Sequence, residues 1–442
     1  MWNENSLDRM RAVYQEVDFA VIQKIWSKNT APVGVYIHNP FCLSLCSFCA
    51  FKGRIPLPGE MQRYYKEYLP AQIKAYRSIL EQIEVSSWYF GGGTPSLMDK
   101  EVLRQILALL PGIKTRGEKT FEIHPADFDI NLLDVLQEYN FDNVIIGVQS
   151  FDKNVLEKIR RRPATKSQVQ NIIQEIQRRG MNAWVDIVGF LNDDPKEIAV
   201  LGQDICTAIE LQPEEISINL NFALKNKYLA AAAELFTTVI QAASPEWFVD
   251  LLVTRQAPEN AAASKEEIQR YLIDKESLRL FNKKRPSALT KINGIHSLYC
   301  AEADVHLQGR SALGIGGYKN NCIGTMSVVL TGHYNYYYTE ANESFRPQYF
   351  VTHTANFLEE TRQIILDLKN LLSSANNKLR ITRLEFSNDY GPNWGDPEQV
   401  PYLKSSLFVN YFGTEKDNAQ YKKQITDYLV APRRPFIDLS LL

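Results

Sequence analysis

Three cysteines within eight residues are the part of this sequence with the clearest chemistry. Cys42, Cys46 and Cys49 are spaced C-x3-C-x2-C, one thiolate fewer than a closed four-cysteine site needs. Thiolates are the usual protein ligands of iron–sulfur clusters, and a [4Fe–4S] cluster held by three of them keeps one iron open to another molecule. The spacing therefore predicts a cluster with one open coordination position.

Two other interpretations of these cysteines are less favoured. They could be buried structural thiols that happen to lie close together, or they could bind zinc. A structural zinc site takes four protein ligands, and neither His38 nor a second C-x2-C pair supplies a matching half-site. The iron–sulfur interpretation therefore remains the leading one.

The second candidate motif is the glycine run Gly91-Gly92-Gly93-Thr94-Pro95, which directly follows an aromatic strand-like segment. Glycines lack Cβ atoms and let a backbone approach a ligand closely, although such a run can also be a simple tight turn. Its position, one β/α unit after the cysteines, favours ligand binding.

Short β-branched or aromatic segments alternate with amphipathic helical patterns from residue 33 onward, which indicates parallel β/α units. Helices are predicted near 61–84, 99–110, 130–140, 152–180 and 194–210, the fourth interrupted at Pro163. Six units are fewer than the eight of a closed barrel, so we expect an α/β fold with an open, partial (β/α)6 barrel. The six predicted strands are Val33–His38, Ser87–Phe90, Lys119–His124, Asn143–Gln149, Asn182–Phe190 and Glu215–Leu220.

Three regions are predicted: an N-terminal arm at 1–30, the barrel at 31–228 and a mixed α/β domain at 229–442 that covers the barrel mouth. The β/α rhythm is lost beyond the barrel. Patterns there predict two helices, a glycine-rich turn and an extended segment, at Tyr228–Ala243, Ser264–Lys284, Ala312–Tyr318 and Ser405–Phe412.

Composition limits the classes of partner and compartment. The 442 residues carry a formal net charge of −2, so no sequence-wide positive field attracts nucleic acid. The N-terminus has no cationic start followed by an apolar stretch, and no run approaches 18 apolar residues. With only six cysteines, half of them clustered, we expect a cytoplasmic protein that binds neither nucleic acid nor membrane.

Polar side chains stand where the predicted strands end, which is where α/β barrels place their chemistry. The carboxylates of Glu122 and Asp186 can accept ribose hydroxyls or pair with a sulfonium, although an ordinary strand-end ion pair is the alternative. His124 is a candidate catalytic proton shuttle, and a packed strand-end histidine is the alternative.

Five motifs in order resemble the radical S-adenosylmethionine (SAM) superfamily, in its oxygen-independent coproporphyrinogen III oxidase branch. That branch includes heme chaperones and methyltransferases that use two SAM molecules. The resemblance covers residues 33–220 and is loose beyond them. The motifs are YIHNPFC from Tyr36, YFGGGTPS from Tyr89, FEIHP from Phe121, IGVQSFD from Ile146 and VDIVG from Val185.

The resemblance implies a [4Fe–4S] cluster at the three cysteines, whose open iron chelates SAM and delivers the electron that yields a 5′-deoxyadenosyl radical. It implies that SAM is held by Tyr36, Gly92, Glu122 and Arg161, with Phe48 against the adenine unless that ring only packs the loop. Some members hold a second SAM molecule, and the matching positions here are Gly93, Thr94, Gln149 and Asp186.

Two departures from the family pattern guide the expected function. Phe51 stands where the decarboxylating oxidase has a further cysteine, and Gly189 is followed by Phe-Leu-Asn-Asp-Asp-Pro where relatives read Leu-Pro-Gly-Gln. We therefore expect C1 transfer from a second SAM, as methylation or cyclopropanation of an unactivated carbon in a natural product. The alternatives are a porphyrinogen oxidative decarboxylase and a heme chaperone. Expected partners are a small-molecule substrate, free or carrier-bound, and an electron donor such as flavodoxin or ferredoxin.

Overall fold

Seven parallel strands form the centre of a larger mixed sheet. The six predicted strands are all present, and their bounds are β2 Val33–Asn39, β3 Val85–Gly92, β4 Glu118–Ile123, β5 Asn143–Gln149, β6 Asn182–Gly189 and β7 Glu215–Asn221. The seventh, β10, is Ser311–Ile315 and lies beside β2. The computed structural model describes residues 15–49, 53–189, 196–221, 247–256, 273–282, 311–318, 326–329, 334–340, 347–353, 380–389 and 402–411.

Helices connect the parallel strands where the sequence predicted them, including the break around Pro163. Tyr64–Tyr68 is a single π-helical turn, and Pro95–Leu97 is a short 3₁₀ turn after the glycine run. The α-helical segments are Phe19–Trp26, Glu60–Arg63, Leu69–Ala75, Arg77–Gln82, Lys100–Leu109, Leu132–Glu138, Lys153–Lys158, Lys166–Arg178 and Lys196–Glu210.

Local sequence explains how two of these helices begin. The Asp99 side chain accepts from the backbone N–H groups of Glu101 and Val102 and caps Lys100–Leu109. Thr165 and Gln168 form a reciprocal capping box at the start of Lys166–Arg178. Both helices bury apolar residues spaced three or four apart, so one face of each packs on the sheet.

The glycine-rich turn predicted at Ala312–Tyr318 is wrong over residues 312–315, which are part of β10. Ser311 pairs with Val33 and Ile315 pairs with Ile37 in a parallel ladder. All five residues of the strand are buried, and a buried parallel strand needs no alternating pattern. Gly316 has φ +109°, and a Cβ there would lie 2.6 Å from the carbonyl oxygen of His38, so glycine permits the close approach.

Antiparallel strands flank the parallel centre on both sides, and the sheet stays open, as a partial barrel requires. The flanking strands are β1 Gln15–Val17, β8 Trp247–Gln256, β9 Ile273–Asn282, β11 Met326–Val329, β12 Tyr334–Glu340, β13 Pro347–His353, β14 Arg380–Asp389 and β15 Tyr402–Tyr411. The full order is β1-β13-β12-β11-β10-β2-β3-β4-β5-β6-β7-β9-β8-β15-β14.

The helix predicted at Ser264–Lys284 is wrong over Ile273–Asn282, which is strand β9. Pairing with β7 and β8 on its two sides overrides the local charged, helix-like pattern. The extended segment predicted at 405–412 is confirmed over 405–411 as part of β15. The helix predicted at Tyr228–Ala243 lies outside the described residues, and the domain boundaries near 30 and 228 stay predictions.

Within the part of the chain that the structure describes, no helix has both the length and the apolar character needed to cross a lipid bilayer.

Candidate functional site

The cysteine loop leaves the carboxyl end of β2 and is fastened to its neighbours by backbone hydrogen bonds. The Cys42 N–H donates to the Arg54 carbonyl at 3.0 Å, and the Arg54 N–H donates to Pro40 at 2.8 Å. The Ser47 N–H donates to the carbonyl of Ile159 at 3.0 Å, which joins the loop to the end of the helix after β5. Within the loop, the Cys49 N–H donates to the Cys46 carbonyl at 3.3 Å.

Two of the cysteine sulfurs face donors from other segments, the turn after β3 and the residues after the helix Lys153–Lys158. The Thr94 hydroxyl donates to Cys42 Sγ at 3.7 Å, and Arg161 Nη1 donates to Cys46 Sγ at 3.5 Å. Burial raises the pKa of the Cys42 thiol, whereas the hydrogen bond from Thr94 lowers it. The Thr94 hydrogen bond and the positive charge of Arg161 both favour the thiolate of Cys42, which is the form that binds metal.

Glycines leave the space beside Cys42 free of side chains. A Cβ at Gly53 would lie 2.6 Å from Cys42 Sγ, and a Cβ at Gly93 would lie 3.0 Å from the same sulfur. The Gly93 N–H also donates to the Asn39 carbonyl at 2.6 Å, so the glycine run lies directly against the cysteine loop. Any larger residue at these two positions would displace the sulfur.

The cysteine loop fits a [4Fe–4S] cluster better than a single ion. No three metal-ligating side chains among the described residues converge closely enough to hold one metal ion. A four-iron cluster takes one cysteine per iron, so its ligands stand further apart than those of a single ion. Three clustered cysteines, two donors aimed at their sulfurs and the glycines beside Cys42 suit the binding of such a cluster.

Glu122, at the end of β4, is the centre of a second group of predicted site residues. Its Oε1 accepts from the Tyr89 hydroxyl at 2.5 Å, and the Gly92 N–H also donates to its carboxylate. The Tyr89 ring stacks on Tyr36 with centroids 5.9 Å apart and planes at 16°. The Tyr36 hydroxyl lies 3.3 Å from Nδ1 of His38. The ends of β2, β3 and β4 thus converge on one carboxyl group.

The electrostatics of this group favour a protonated Glu122 in the absence of a cation. Burial raises the pKa of Glu122 to about 8; the Tyr89 hydrogen bond opposes the rise, and the negative charge of Asp186 on β6 adds to it. Two carboxyl groups near each other in a poorly solvated site attract positive charge. An amine, a sulfonium or a sugar hydroxyl suits this place.

The side chains of Gln149 and Arg161 meet beside Gly147 of β5. Gln149 ends β5 with φ +69°, and the β5/β6 register shifts between Gly147 and Gln149. Arg161 Nη2 donates to the Gly147 carbonyl, while its Nη1 reaches Cys46. A Cβ at Gly147 would lie 2.8 Å from Arg161 Nη2, so that glycine admits the guanidinium.

The three consecutive arginines have different surroundings. Arg160 is exposed with φ +56°, and Arg162 pairs with Asp127. Arg161 Nε is buried without a hydrogen-bond partner among the described residues, so one donor of that guanidinium is available to a ligand. Of the three, it is Arg161 whose side chain donates to a cysteine of the loop.

His124 is buried and uncharged. Its Nδ1 accepts from the Ala126 N–H at 3.2 Å, which leaves the proton on Nε2, and that atom is buried with no partner in the described part of the chain. Burial lowers the pKa of His124 to about 3, and the charges of Arg161 and Arg162 lower it further. The group is therefore a neutral N–H donor near pH 7, which disfavours the expected proton shuttle.

Phe48, within the cysteine loop, faces the helix after β5 and strand β6. Its ring packs against Leu156, Ile159 and Val188. These contacts agree with loop packing, and the expected contact with adenine stays a prediction.

The comparisons with known proteins agree with this geometry. The family model of the radical SAM superfamily matches residues 36–205. The chain carries a radical SAM domain. The match starts in β2, includes the cysteine loop, and ends in the helix after β6.

Two curated relatives are similar to less than half of this chain. The heme chaperone HemW of Buchnera aphidicola subsp. Schizaphis graminum is 27% identical over 191 residues, 42% of this chain and 50% of that protein. The oxygen-independent coproporphyrinogen III oxidase of Paracoccus denitrificans is 30% identical over 196 residues, 42% of either chain. The chain thus spans half or less of the curated relatives it matches.

A solved structure shows the same fold over a longer stretch than the radical SAM domain alone. The coproporphyrinogen III oxidase HemN of Escherichia coli superposes with a TM-score of 0.50 and 16% identity, over 77% of this chain and 75% of that one. At this identity the similarity concerns the fold.

The sequence alone assigns no role to three residues of the site. Tyr89 lies within a family motif, but only the structure brings its hydroxyl to Glu122. Ser150 lies within another family motif and Asp204 lies in none, and the two form a buried hydrogen bond of 2.5 Å behind Gln149. A pairing between residues 54 positions apart leaves no local pattern in a single sequence.

Proposed function

We propose that this chain is a radical SAM enzyme that holds a [4Fe–4S] cluster at Cys42, Cys46 and Cys49, with SAM at the ends of β2 to β6. The observation that supports this most directly is that one glycine run contacts both the cysteine loop and Glu122. The Thr94 hydroxyl donates to Cys42 Sγ, and the Gly92 N–H donates to the Glu122 carboxylate. When bound, the cluster supplies the electron for reductive cleavage of SAM to a 5′-deoxyadenosyl radical.

The side chains of this chain would bind and orient the two ends of SAM. Glu122, positioned by Tyr89 and the Gly92 N–H, would ionise to accept a hydroxyl or pair with a cation. Arg161, whose buried Nε has no hydrogen-bond partner within the described part of the chain, is suited to a carboxylate. The exclusion of water by the stacked Tyr36 and Tyr89 rings would strengthen both interactions.

We further propose that a second SAM donates a C1 unit to an unactivated carbon of a natural product, by methylation or cyclopropanation. The support is that the positions implied for the second SAM lie around the proposed SAM site, near Glu122, Gly147 and Cys42. Asp186 acts electrostatically on Glu122, Gln149 adjoins Gly147, and Gly93 and Thr94 lie at Cys42.

The relatives favour two other functions for the same site. Their names describe an oxygen-independent coproporphyrinogen III oxidase and a heme chaperone. An oxidative decarboxylase of porphyrinogens would use the same radical without C1 transfer, and a heme chaperone would bind heme without turnover. Both are outcomes of the experiment below.

We propose two partners for the enzyme: a small-molecule substrate, free or carrier-bound, and an electron donor such as flavodoxin or ferredoxin. The support for an external donor is access. The cysteines are partly exposed, and Leu43 and Leu45 between them are each 46% exposed, so a small redox protein can approach the loop.

The test is anaerobic reconstitution of the full chain with iron and sulfide, followed by reduction with dithionite in the presence of SAM. The products 5′-deoxyadenosine and S-adenosylhomocysteine are quantified by mass spectrometry. Cys46→Ala is the control for background cleavage. Leu43→Ala, in the same loop without a ligating sulfur, controls for disturbance of the loop.

The products separate the candidate functions. Both products above the Cys46→Ala control support C1 transfer, and Gln149→Ala and Asp186→Ala should then lower S-adenosylhomocysteine more than they lower deoxyadenosine. Deoxyadenosine alone, with decarboxylation of added coproporphyrinogen III, supports the oxidase. Stable heme binding with neither product supports the chaperone and contradicts the enzyme.

A further inference from the structure

We propose that Asp204, on the helix after β6, is a positioning residue that fixes Gln149 and Arg161 in the site. The proposal rests on the proposed function, because it takes Gln149 and Arg161 to border a SAM site. Its evidence is a set of hydrogen bonds within the chain. Asp204 lies on a helix, outside the set of strand-end residues, and its side chain accepts hydrogen bonds from Ser150 and Phe151.

Asp204 holds the turn that follows β5 by two hydrogen bonds. Its Oδ2 accepts from the Ser150 hydroxyl at 2.5 Å, and its Oδ1 accepts from the Phe151 N–H at 2.8 Å. Only 3% of Asp204 is exposed, so both bonds are shielded from water. Gln149 immediately precedes these residues and has φ +69°, a conformation that non-glycine residues adopt only when their surroundings impose it.

The same hydrogen-bond chain continues into the helix that leads to Arg161. The Ser150 hydroxyl oxygen accepts from the Asp152 N–H at 3.0 Å. Asp152 in turn caps the helix Lys153–Lys158 by accepting from the N–H groups of Asn154 and Val155. A displacement of the turn would therefore also displace that helix.

That helix ends at the cysteine loop. The carbonyl of Ile159 accepts from the Ser47 N–H at 3.0 Å, and Arg161 Nη1 reaches Cys46 Sγ at 3.5 Å. Asp204 is thus connected through Ser150 to both residues that border the proposed SAM site on this side.

A purely structural role explains Asp204 less well. Burying a carboxylate costs free energy, and burial raises the pKa of Asp204 to about 6 despite its two hydrogen bonds. A neutral side chain would fill this place with less penalty. The ionised group is useful because it accepts from a hydroxyl and a backbone N–H at once and so fixes the direction of the turn.

The experiment compares Asp204→Asn with Glu214→Gln in the full, reconstituted chain. Glu214 is also buried and accepts from a backbone N–H, that of Ala183 at 2.7 Å, but near the start of β6, away from the site. Ser150→Ala, which removes one hydroxyl, covers the case in which Asp204→Asn does not fold. Two quantities are measured: hydrogen exchange of amides 149–161 without SAM, and the SAM Kd by calorimetry.

We expect faster exchange across 149–161, by about tenfold, in Asp204→Asn and Ser150→Ala, because a charge-assisted hydrogen bond is lost. The SAM Kd should rise by a similar factor with iron content unchanged, while Glu214→Gln alters neither quantity. Unchanged exchange at 149–161, or an equal effect of Glu214→Gln, would overturn the proposal. If the wild type binds no SAM, the proposed function fails, and the exchange data still decide whether Asp204 fixes the turn.

Discussion

The Tyr89 hydroxyl donates to Glu122 Oε1 at 2.5 Å, and the two side chains come from the neighbouring parallel strands β3 and β4. Burial raises the pKa of both groups, so near pH 7 both are mainly protonated and the pair is uncharged. A cationic ligand would reverse this by stabilising the carboxylate. SAM binding should therefore release a proton from Glu122.

Replacing the Glu122 carboxyl should weaken SAM binding but stabilise the folded chain at high pH. Glu122→Gln keeps the shape but cannot ionise, so we expect the SAM Kd to rise by about 10–100-fold. Calorimetry in two buffers of different ionisation enthalpy should show proton release near pH 7 in the wild type and none in the variant. Proton release that persists in the variant would assign it to another group.

The stability effect of Glu122→Gln depends on pH. In the folded chain the pKa is about 8, above its ordinary value of 4.5, so the native state holds the proton more tightly than the unfolded state. The wild type therefore loses stability as pH rises from about 4.5 to 8. Glu122→Gln should melt higher than the wild type at pH 8.5 and equally at pH 4.5. Glu81→Gln, an exposed ion-pair residue, should show no such pH-dependent gain.

A second prediction separates neighbouring arginines. Arg161 Nη1 lies 3.5 Å from Cys46 Sγ, whereas Arg160 is exposed. Removing a cation beside a cluster ligand disfavours the more negative, reduced state, so Arg161→Ala should lower the reduction potential by about 50–100 mV, equivalent to ~1–2 kcal/mol. Arg160→Ala should leave it unchanged. Potentiometric titration followed by electron paramagnetic resonance measures both, and equal potentials in the two variants would contradict the assignment.

The sequence was sufficient for the six parallel strands because each is a short buried run bounded by turn residues, and for the break at Pro163 because proline interrupts helices. The predicted strands also place Cys42, Glu122 and Gln149 at the carboxyl ends of the parallel strands, which meet at one edge of the sheet. Long-range pairing was not predictable. β10 pairs with β2 from almost 280 positions away, and β9 is a strand because β7 and β8 lie beside it, which no local pattern records.

The third prediction concerns the protonation of His124. Its pKa is lowered to about 3, chiefly by burial, so the ring should stay neutral between pH 5 and 8 with the proton on Nε2. Nitrogen NMR of labelled histidine should show one unchanging neutral tautomer over that range. SAM cleavage in His124→Gln should retain the wild-type dependence on pH. A titration of His124 near pH 6.5 would restore it as a proton shuttle.

The last prediction tests the seventh parallel strand. Gln72 is buried; its Nε2 donates to the Gly317 carbonyl at 2.8 Å, and its Oε1 accepts from the Gly316 N–H at 2.9 Å. Gln72→Ala would leave two buried backbone groups without partners, at a cost of about 1–3 kcal/mol each. At about 2–4 °C per kcal/mol, the slope for a domain of about 150–250 residues, the melting temperature should fall by roughly 4–24 °C.

Two further variants make the Gln72 result specific. Gln72→Glu keeps an acceptor for the Gly316 N–H but turns an oxygen toward the Gly317 carbonyl, so it should also destabilise the chain and do so more at pH 8 than at pH 5. Gln137→Ala removes an exposed glutamine that donates to the Arg179 carbonyl at 3.2 Å, and water can replace that bond. Equal melting temperatures for Gln72→Ala and Gln137→Ala would mean that β10 does not dock through Gln72, and that backbone pairing with its neighbours β2 and β11 holds the seventh strand in the sheet.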